Sequence, residues 1–255
     1  MTPLNSLMKR LFYPGFNLGL RSRSGIARFF LREDRARTLD LGCGNGFFTA
    51  LAARRGGTAV GVSFDDSQVQ RCREFLPSLR IPAGRIAFDV ARAEDLGTDG
   101  RRYDQVLCLE VLEHVDDDAA ALVRIAGVLT PSGILHVTTP DVRLGIWVGA
   151  LDRHARGGHC RLGYSAERLQ DLVRKAGLDV AYVSRVGTLG DYLAPVQNGM
   201  ARALGSSAMA QGVAFLAVFP LYWLLRWVHA PYRMRMFHYL IARKPSGHAQ
   251  DACRV

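Results

Sequence analysis

The sequence predicts an α/β fold in which a mostly parallel β-sheet is covered by helices on both faces. Two observations support this prediction. From residue 38 onward, apolar runs of strand length alternate with stretches of helical periodicity, which is the pattern of a doubly wound sheet. The chain is also 49% hydrophobic over 255 residues, which is enough for one large core with additions.

An amphipathic helix is predicted before the sheet begins. Apolar residues recur at helical spacing near the start of the chain, and Pro14 with Gly15 ends that pattern. Residues 1–37 carry eight basic residues against two acidic ones, so we expect a basic helical arm there. The apolar residues of the pattern are Leu4, Leu7, Met8, Leu11 and Phe12.

The core of the fold is predicted over residues 38–186, and its last strand and tail over residues 236–255. A helix is expected at Ala166–Ala176. Strands are expected near Thr38–Leu41, Ala59–Ser63, Ile86–Val90, Gln105–Leu109, Ile134–Thr139, Asp179–Arg185 and Phe237–Ala242, with helices between the first five.

Residues 187–235 form a predicted apolar helical insertion between the last two strands. Within it, residues 212–230 have the length of a membrane span. Pro220 and Arg226 disfavour a membrane span. Topology disfavours it too, because the strands on either side belong to one sheet and a single crossing would leave them on opposite sides of the bilayer. The remaining alternatives are a lid over the active site, a dimer surface, or a helical element in the membrane interface, which Trp223 and Trp227 favour.

A glycine-rich turn follows the first predicted strand. Asp40-x-Gly42-x-Gly44-x-Gly46 lets the backbone turn sharply and approach a ligand closely. The dinucleotide fingerprint differs, since it has two residues between its second and third glycines. The motif resembles the first motif of class I S-adenosylmethionine-dependent methyltransferases. The resemblance implies a seven-stranded, Rossmann-like sheet with an antiparallel last strand. It also implies that Asp40 lies near the methionine amino group and that the turn, Cys43 included, passes under the ribose and carboxylate.

The end of the second predicted strand departs from the commonest form of that family. Many members have an acid at the Ser63 position, which binds both ribose hydroxyls. The stretch here resembles the variant of cyclopropane-fatty-acid-synthase-like and tocopherol-methyltransferase-like members. This implies that Ser63 and Gln68 replace the carboxylate and that Phe64 lies in the cofactor site. Asp65 has two open interpretations, a ribose contact or the cap of the next helix.

Two further segments complete the predicted cofactor site. Residues 91–96 resemble the family's adenine-contacting segment, with Arg92, Ala93 and Glu94 at the contact positions. Arg92 stands where an aspartate usually accepts the adenine amine, and because arginine has no acceptor we expect its guanidinium to stack on the ring. Residues 103–115 resemble the fourth motif, which implies that Leu109 and Glu110 wall the cofactor sulfonium and face the acceptor.

Two histidines are candidates for a general base. Methyl transfer to a hydroxyl needs alignment and a base near the nucleophile. His114 follows the fourth predicted strand on the acceptor side, and His159 lies in a segment that resembles the Gly-x-His segment of ubiquinone-biosynthesis O-methyltransferases. The alternative for each histidine is a structural hydrogen-bonding role.

A metal site is a further hypothesis. Two carboxylates and two imidazoles suit a divalent ion such as Mg²⁺, Mn²⁺ or Zn²⁺, which would fix an acceptor hydroxyl and lower its pKa. The ligands would be Glu110, Glu113, His114 and His159. A similar Glu-x-x-Glu-His cluster occurs in small-RNA 3′-end 2′-O-methyltransferases, and the alternative is a structural role for the same residues.

The sequence therefore predicts an S-adenosylmethionine-dependent methyltransferase that acts at oxygen on an amphiphilic or lipid-linked small molecule. One alternative is an RNA 2′-O-methyltransferase with a metal site. Another is a non-catalytic, membrane-associated protein that binds the cofactor, since Ser63 and Arg92 replace the usual cofactor contacts. Nucleic acid is disfavoured as a partner, because the insertion lacks a basic stripe with spaced aromatic residues.

Charge and cysteine content bear on the cellular setting. The net charge is +10, and the basic residues within 226–244 would attract anionic lipid, a phosphorylated substrate or RNA, unless they are solvated surface only. The five cysteines are scattered, without a CxxC pair or a secretory signal. We therefore expect a reduced, cytoplasmic location, with a peripheral position on the inner face of the membrane as a hypothesis.

Overall fold

The computed structural model describes residues 18–21, 36–143 and 160–246. The predicted helix at residues 4–12 and His159 lie outside these ranges. The chain divides into two compact units. The insertion unit contains Arg185–Met236 with the described residues of Met1–Leu31, and the sheet unit contains the described residues of Arg32–Ser184 and Phe237–Val255.

Seven strands form one sheet in the order β3-β2-β1-β4-β5-β7-β6. The pairs among the first five strands are parallel, and β7 runs antiparallel to β5. The strands are β1 (Arg37–Leu41), β2 (Thr58–Ser63), β3 (Ile86–Val90), β4 (Tyr103–Leu109), β5 (Leu129–Pro140), β6 (Asp179–Val186) and β7 (Phe237–Arg243). All seven predicted strands and the antiparallel last strand are confirmed, although β5 begins earlier than predicted.

Helices connect most of these strands, but only a 3₁₀ turn, Ala93–Asp95, lies between β3 and β4, where the sequence predicts a helix. Side chains cap the first turns of three of the helices. The helices are α1 (Phe47–Arg54), α2 (Asp66–Phe75), α3 (Asp118–Val128) and α4 (Ala166–Lys175). The Asp65 carboxylate accepts the backbone N–H groups of Ser67 and Gln68, which confirms its interpretation as a helix cap. Asp117 caps α3 in the same way, through the N–H of Ala120.

The centre of the sheet is covered on both faces. Val106, Leu107 and Cys108 follow one another along β4, and all three are buried. A strand with two buried faces has a continuous apolar sequence, which explains why these strands are recognisable as apolar runs. The connections from β1 and β4 leave in opposite directions along the sheet, so a crevice is expected where the carboxyl ends of these two strands meet.

The insertion unit is helical, as predicted. Its two longest described helices are α5 (Leu193–Ala203) and α6 (Ala208–Leu225). Leu18, Phe215, Val218 and Tyr222 form its buried core. Among the residues that the structure describes, no helix is long and apolar enough to cross a membrane.

We predict that Gly46→Ala destabilises the fold more than Gly84→Ala does. Both glycines have a positive φ, +76° and +79°, so alanine carries a similar backbone penalty at each position. A Cβ at Gly46 would lie 2.7 Å from Cζ of Phe88, whereas nothing lies within 4 Å of one at Gly84. Urea denaturation should therefore give an additional loss of about 1–3 kcal/mol in the free energy of unfolding for Gly46→Ala. Equal losses would mean that Phe88 moves aside without cost.

Candidate active site

The turn between β1 and α1 is fixed by hydrogen bonds from its own backbone. The N–H groups of Gly42 and Cys43 both donate to the carbonyl of Val62 at the end of β2, at 2.9 and 3.0 Å. Gly42, Gly44 and Gly46 all have a positive φ, which glycine adopts without strain. A Cβ at Gly42 would lie 2.6 Å from Cγ2 of Val111, so this turn also approaches the segment after β4 closely.

Asp40 is buried beneath the turn. The hydroxyl of Thr49 on α1 donates to its carboxylate at 2.6 Å. Burial raises the pKa of Asp40 to about 7, and the hydrogen bond from Thr49 offsets only part of this effect. The Asp40 side chain therefore joins β1 to α1, and its predicted contact with the methionine amino group stays a prediction.

A cavity of about 390 Å³ opens at the carboxyl ends of the central strands. Its walls come from the ends of β1 and β2, the segment after β3, and the segment after β4. The lining residues are Leu41, Gly42, Ser63, Phe64, Gln68, Ala91, Arg92, Ala93, Glu94, Glu110, Val111, His114, Val115 and Asp116. A volume of this size suits a small-molecule ligand.

Most of the predicted site residues meet at this cavity. Those that line it are Gly42, Ser63, Phe64, Gln68, Arg92, Ala93, Glu94, Glu110 and His114. Asp40, Cys43, Gly44, Gly46 and Leu109 do not line it. The glycines among them shape the turn, and the carbonyl of Gly44 accepts the thiol of Cys72 at 3.3 Å.

The sequence reasoning missed three lining residues after β4. Val111 and Val115 carry no polar group, and Asp116 directly precedes Asp117, the cap of α3. Their position in sequence, one to six residues after Glu110, could have identified them, because residues that follow a strand end tend to line the same side of a cavity as the strand end itself.

Ser63 and Gln68 form a polar pair at one side of the cavity. The Ser63 hydroxyl lies 2.7 Å from Oε1 of Gln68. Ser63 ends β2, and Gln68 lies in the first turn of α2, where the Asp65 cap fixes the helix start. The sequence spacing of five residues thus brings a hydroxyl and an amide together at the cavity.

Arg92 has a local partner at the same cavity. Its Nε lies 3.5 Å from Oε2 of Glu94, and both side chains are largely exposed. An exposed ion pair of this kind holds its side chains weakly. Phe64 presents a ring that is 74% exposed beside the cavity. An aromatic face and a guanidinium plane are therefore both available to a planar ligand.

The wall after β4 contains a strained residue. Glu110 has φ +58°, an uncommon conformation for a residue with a side chain, and its N–H donates to the carbonyl of Thr138 on β5 at 2.9 Å. Such strain persists only where surrounding contacts enforce it, and it is frequent at functional sites.

One guanidinium holds much of this wall. Nη1 of Arg161 donates to the carbonyls of Leu112 and Val115, at 2.6 Å each, and Nη2 donates to that of Asp116 at 2.9 Å. The Tyr164 hydroxyl lies within hydrogen-bond distance of two acceptors, the Leu112 carbonyl at 3.0 Å and the Asp118 carboxylate at 2.9 Å. These contacts join residues 112–116 to the segment before α4 and to the start of α3.

A turn in the segment after β4 separates the predicted metal ligands. The 3₁₀ turn Leu112–His114 directs Glu113 into the interior, where it is fully buried, and leaves His114 exposed at the cavity. Among the described residues, no group of three or more histidine, cysteine, aspartate or glutamate side chains is arranged to hold a metal ion. The predicted set of Glu110, Glu113 and His114 is therefore not assembled, and its fourth member, His159, lies outside the described residues.

Known proteins share this sequence pattern and fold. Residues 18–183 match the family model of the methyltransferase domain. The chain is 32% identical over 155 residues to a ubiquinone biosynthesis O-methyltransferase of Neisseria meningitidis, which covers 57% of this chain and 64% of that protein. It is 33% identical over 155 residues to one of Cereibacter sphaeroides, which covers 56% of this chain and 60% of that protein. The matches thus span less than two thirds of these relatives.

A solved structure has the same fold at low sequence identity. Magnesium protoporphyrin IX methyltransferase of Synechocystis PCC 6803, with bound SAH, superposes with a TM-score of 0.55 at 15% identity. The superposition covers 89% of this chain and 81% of that one.

We predict that the stability of the protein depends on the ionisation of Asp40. The carboxyl has a pKa of about 7 in the folded chain against about 4 when unfolded, so between these values the folded state alone holds the proton. The free energy of unfolding of the wild type should then fall relative to Asp40→Asn as the pH rises from about 4 to about 7, by up to about 1.4 kcal/mol per pH unit.

Urea denaturation across that pH range measures this difference, and Asp104→Asn is the control. Partial burial would raise the pKa of Asp104, but hydrogen bonds from Arg37 hold it below its usual value. The contribution of Asp104 to the free energy of unfolding is lost only at a lower pH. The difference between the wild type and Asp104→Asn should therefore stay constant between about pH 4 and pH 7. A flat curve for Asp40→Asn as well would contradict the prediction.

We also predict that Arg161→Gln destabilises the protein by about 2–4 kcal/mol, because three carbonyl groups lose a charged donor. Arg168→Gln is the matched control. Arg168 lies 3.7 Å from the same Asp118 carboxylate that Arg161 approaches to 3.6 Å, but its side chain is 62% exposed. Its loss should cost about 0–1 kcal/mol in urea denaturation. Equal costs would assign the stabilisation to the ion pair with Asp118 instead.

Proposed function

The chain belongs to the methyltransferase domain family of class I S-adenosylmethionine-dependent enzymes, and we propose that it methylates a hydroxyl oxygen of an amphiphilic or lipid-linked small molecule. The observation that supports this proposal is the composition of the cavity. Its lining joins a glycine turn and the Ser63–Gln68 pair to an exposed histidine, His114, with apolar side chains beside it.

The residues present fit the cofactor. Gly42 lines the cavity and has no side chain, so a ligand beside it meets main chain. Ser63 and Gln68 supply a hydroxyl and an amide for the ribose, and Phe64 and Arg92 supply planar faces for the adenine. When bound, S-adenosylmethionine supplies an electrophilic methyl group on a sulfonium centre.

The acceptor side has the groups that an O-methyl transfer needs. His114 is exposed at the cavity, so its imidazole is accessible to an acceptor hydroxyl and removes the proton as the oxygen is methylated. Leu41, Val111 and Val115 give this space apolar surface, which suits a molecule with a hydrophobic part. The relatives named as ubiquinone biosynthesis O-methyltransferases support oxygen as the acceptor atom.

We further propose a peripheral position on the cytoplasmic face of a membrane. Among the described residues, Cys43, Cys72, Cys108 and Cys160 form no disulfide, which suits a reducing compartment. An acceptor with a hydrophobic part would be concentrated at a membrane surface. We do not favour RNA methylation, because Glu113 is buried and does not line the cavity that His114 lines.

The proposal is tested with methyl-labelled S-adenosylmethionine and a series of phenols that carry alkyl chains of increasing length. We expect label in the phenolic ether, with kcat/KM rising with chain length. His114→Gln should lower kcat by about 10²–10⁴-fold, with the cofactor Kd from calorimetry unchanged. His229→Gln, which removes an exposed histidine of the insertion unit, is the control and should leave kcat unchanged.

Two results would contradict the proposal. Cofactor binding without transfer to any hydroxyl acceptor would favour the non-catalytic alternative. Transfer to single-stranded RNA but not to phenols would favour the RNA alternative.

A further inference from the structure

Helix α6 of the insertion unit is apolar on two opposite faces, and one of those faces is exposed. Phe215, Val218 and Tyr222 point into the core of the unit. Apolar residues at spacings of three and four lie on the opposite face and are at least half exposed. They are Met209, Val213, Leu216, Trp223 and Leu224 on the helix and Trp227 two residues after its end, and we call this set the apolar face of α6.

An exposed face of this kind normally has a partner. A helix that is hydrophobic all round is usually buried, and a contiguous apolar patch on a protein surface marks an interaction site. The exposed fractions are large, 78% for Met209, 61% for Leu216 and 69% for Trp227. The apolar face of α6 therefore needs an occupant that offers apolar surface of its own.

Charge around the face restricts what that occupant is. The described residues of the insertion unit include one acid, Asp191, and it is buried. The same residues contain six arginines, Arg21, Arg185, Arg202, Arg226, Arg233 and Arg235. The guanidinium of Arg226 lies 4.9 Å from the ring centre of Trp227, so a cation borders the apolar face directly.

A second copy of the chain fits this charge pattern poorly. A two-fold dimer brings the same patch of both subunits together, so the arginines of one copy would face those of the other. An anionic lipid surface offers hydrocarbon for the apolar face and phosphate groups for the arginines. Tryptophan and tyrosine prefer the boundary between the hydrocarbon and headgroup regions of a bilayer, and Trp223, Trp227 and Tyr232 would lie at that boundary.

We propose that the apolar face of α6 binds an anionic lipid bilayer, with the helix lying along the membrane surface and Arg226 and Arg233 at the headgroup level. This inference rests on the proposed function in one respect, which is that the membrane would be the place where the enzyme meets an amphiphilic acceptor. Its evidence is the exposure and charge of the insertion unit, which are independent of methyl transfer.

Flotation tests this proposal, with vesicles of phosphatidylcholine that contain or lack phosphatidylglycerol. The wild type should float with the phosphatidylglycerol vesicles. Val213→Asp should weaken the partition by about tenfold or more, because it removes an apolar side chain that lipid would cover and adds a negative charge that the anionic surface repels. Val123→Asp is the matched control, since Val123 is a valine on α3 with 55% exposure against 51% for Val213, and it should float like the wild type.

A second variant tests the arginines. The double variant Arg226→Gln, Arg233→Gln should bind phosphatidylglycerol vesicles more weakly, by about fivefold in the partition coefficient for each arginine removed. Its binding to vesicles of phosphatidylcholine alone should change little. Circular dichroism of each variant verifies that it is folded.

Three results would overturn the proposal. The wild type could stay in the soluble fraction with phosphatidylglycerol vesicles. Val123→Asp could weaken flotation as much as Val213→Asp. A wild-type dimer in solution that Val213→Asp dissociates would assign the face to a second copy. The phenol assay is done without vesicles, so the two readouts are independent. Methyl transfer without flotation overturns the membrane binding and the peripheral position but leaves the proposed O-methylation standing, whereas flotation without methyl transfer overturns the proposed O-methylation alone.

Discussion

The candidate site depends on a backbone turn between β1 and α1 that a side chain would obstruct. Two successive N–H groups, from Gly42 and Cys43, share the carbonyl of Val62, which ties the turn to the end of the neighbouring strand. The same turn lies so close to Val111 that a Cβ at Gly42 would overlap it. The separation of the two walls of the cavity is therefore set by a residue that has no side chain.

The two sides of the cavity are held in different ways. On the side of β2, Ser63 and Gln68 occupy ordinary positions, at a strand end and in a capped helical turn. On the side of β4, Glu110 adopts a left-handed conformation that costs about 1–3 kcal/mol. Charged hydrogen bonds from Arg161 to the residues that follow offset a cost of this size. The first side is determined by local structure, and the second depends on a distant partner.

This difference explains how far the sequence could be interpreted. Apolar runs locate the strands because both faces of the sheet are covered, and the parallel order brings the strand ends to one edge. Ser63, Arg92 and Glu110 could thus be assigned to one cavity from their positions after strands. The orientations of Glu113 and His114 could not, because the turn that separates them is held by Arg161, which is 49 residues from Leu112 in sequence. In α6 the apolar composition predicts a helix but not its exposed face, because apolar residues occur on every side.

The hydrogen bonds of Arg161 to the cavity wall all end on main-chain carbonyl oxygens. Every amino acid supplies such an oxygen, so the side chains of Leu112, Val115 and Asp116 can be exchanged without loss of these bonds. Two of these side chains, Val115 and Asp116, line the cavity. The shape and polarity of this side of the cavity can therefore diverge between related proteins while the path of the chain stays constant. Selection for a different ligand would act on these side chains one at a time, with Arg161 retained.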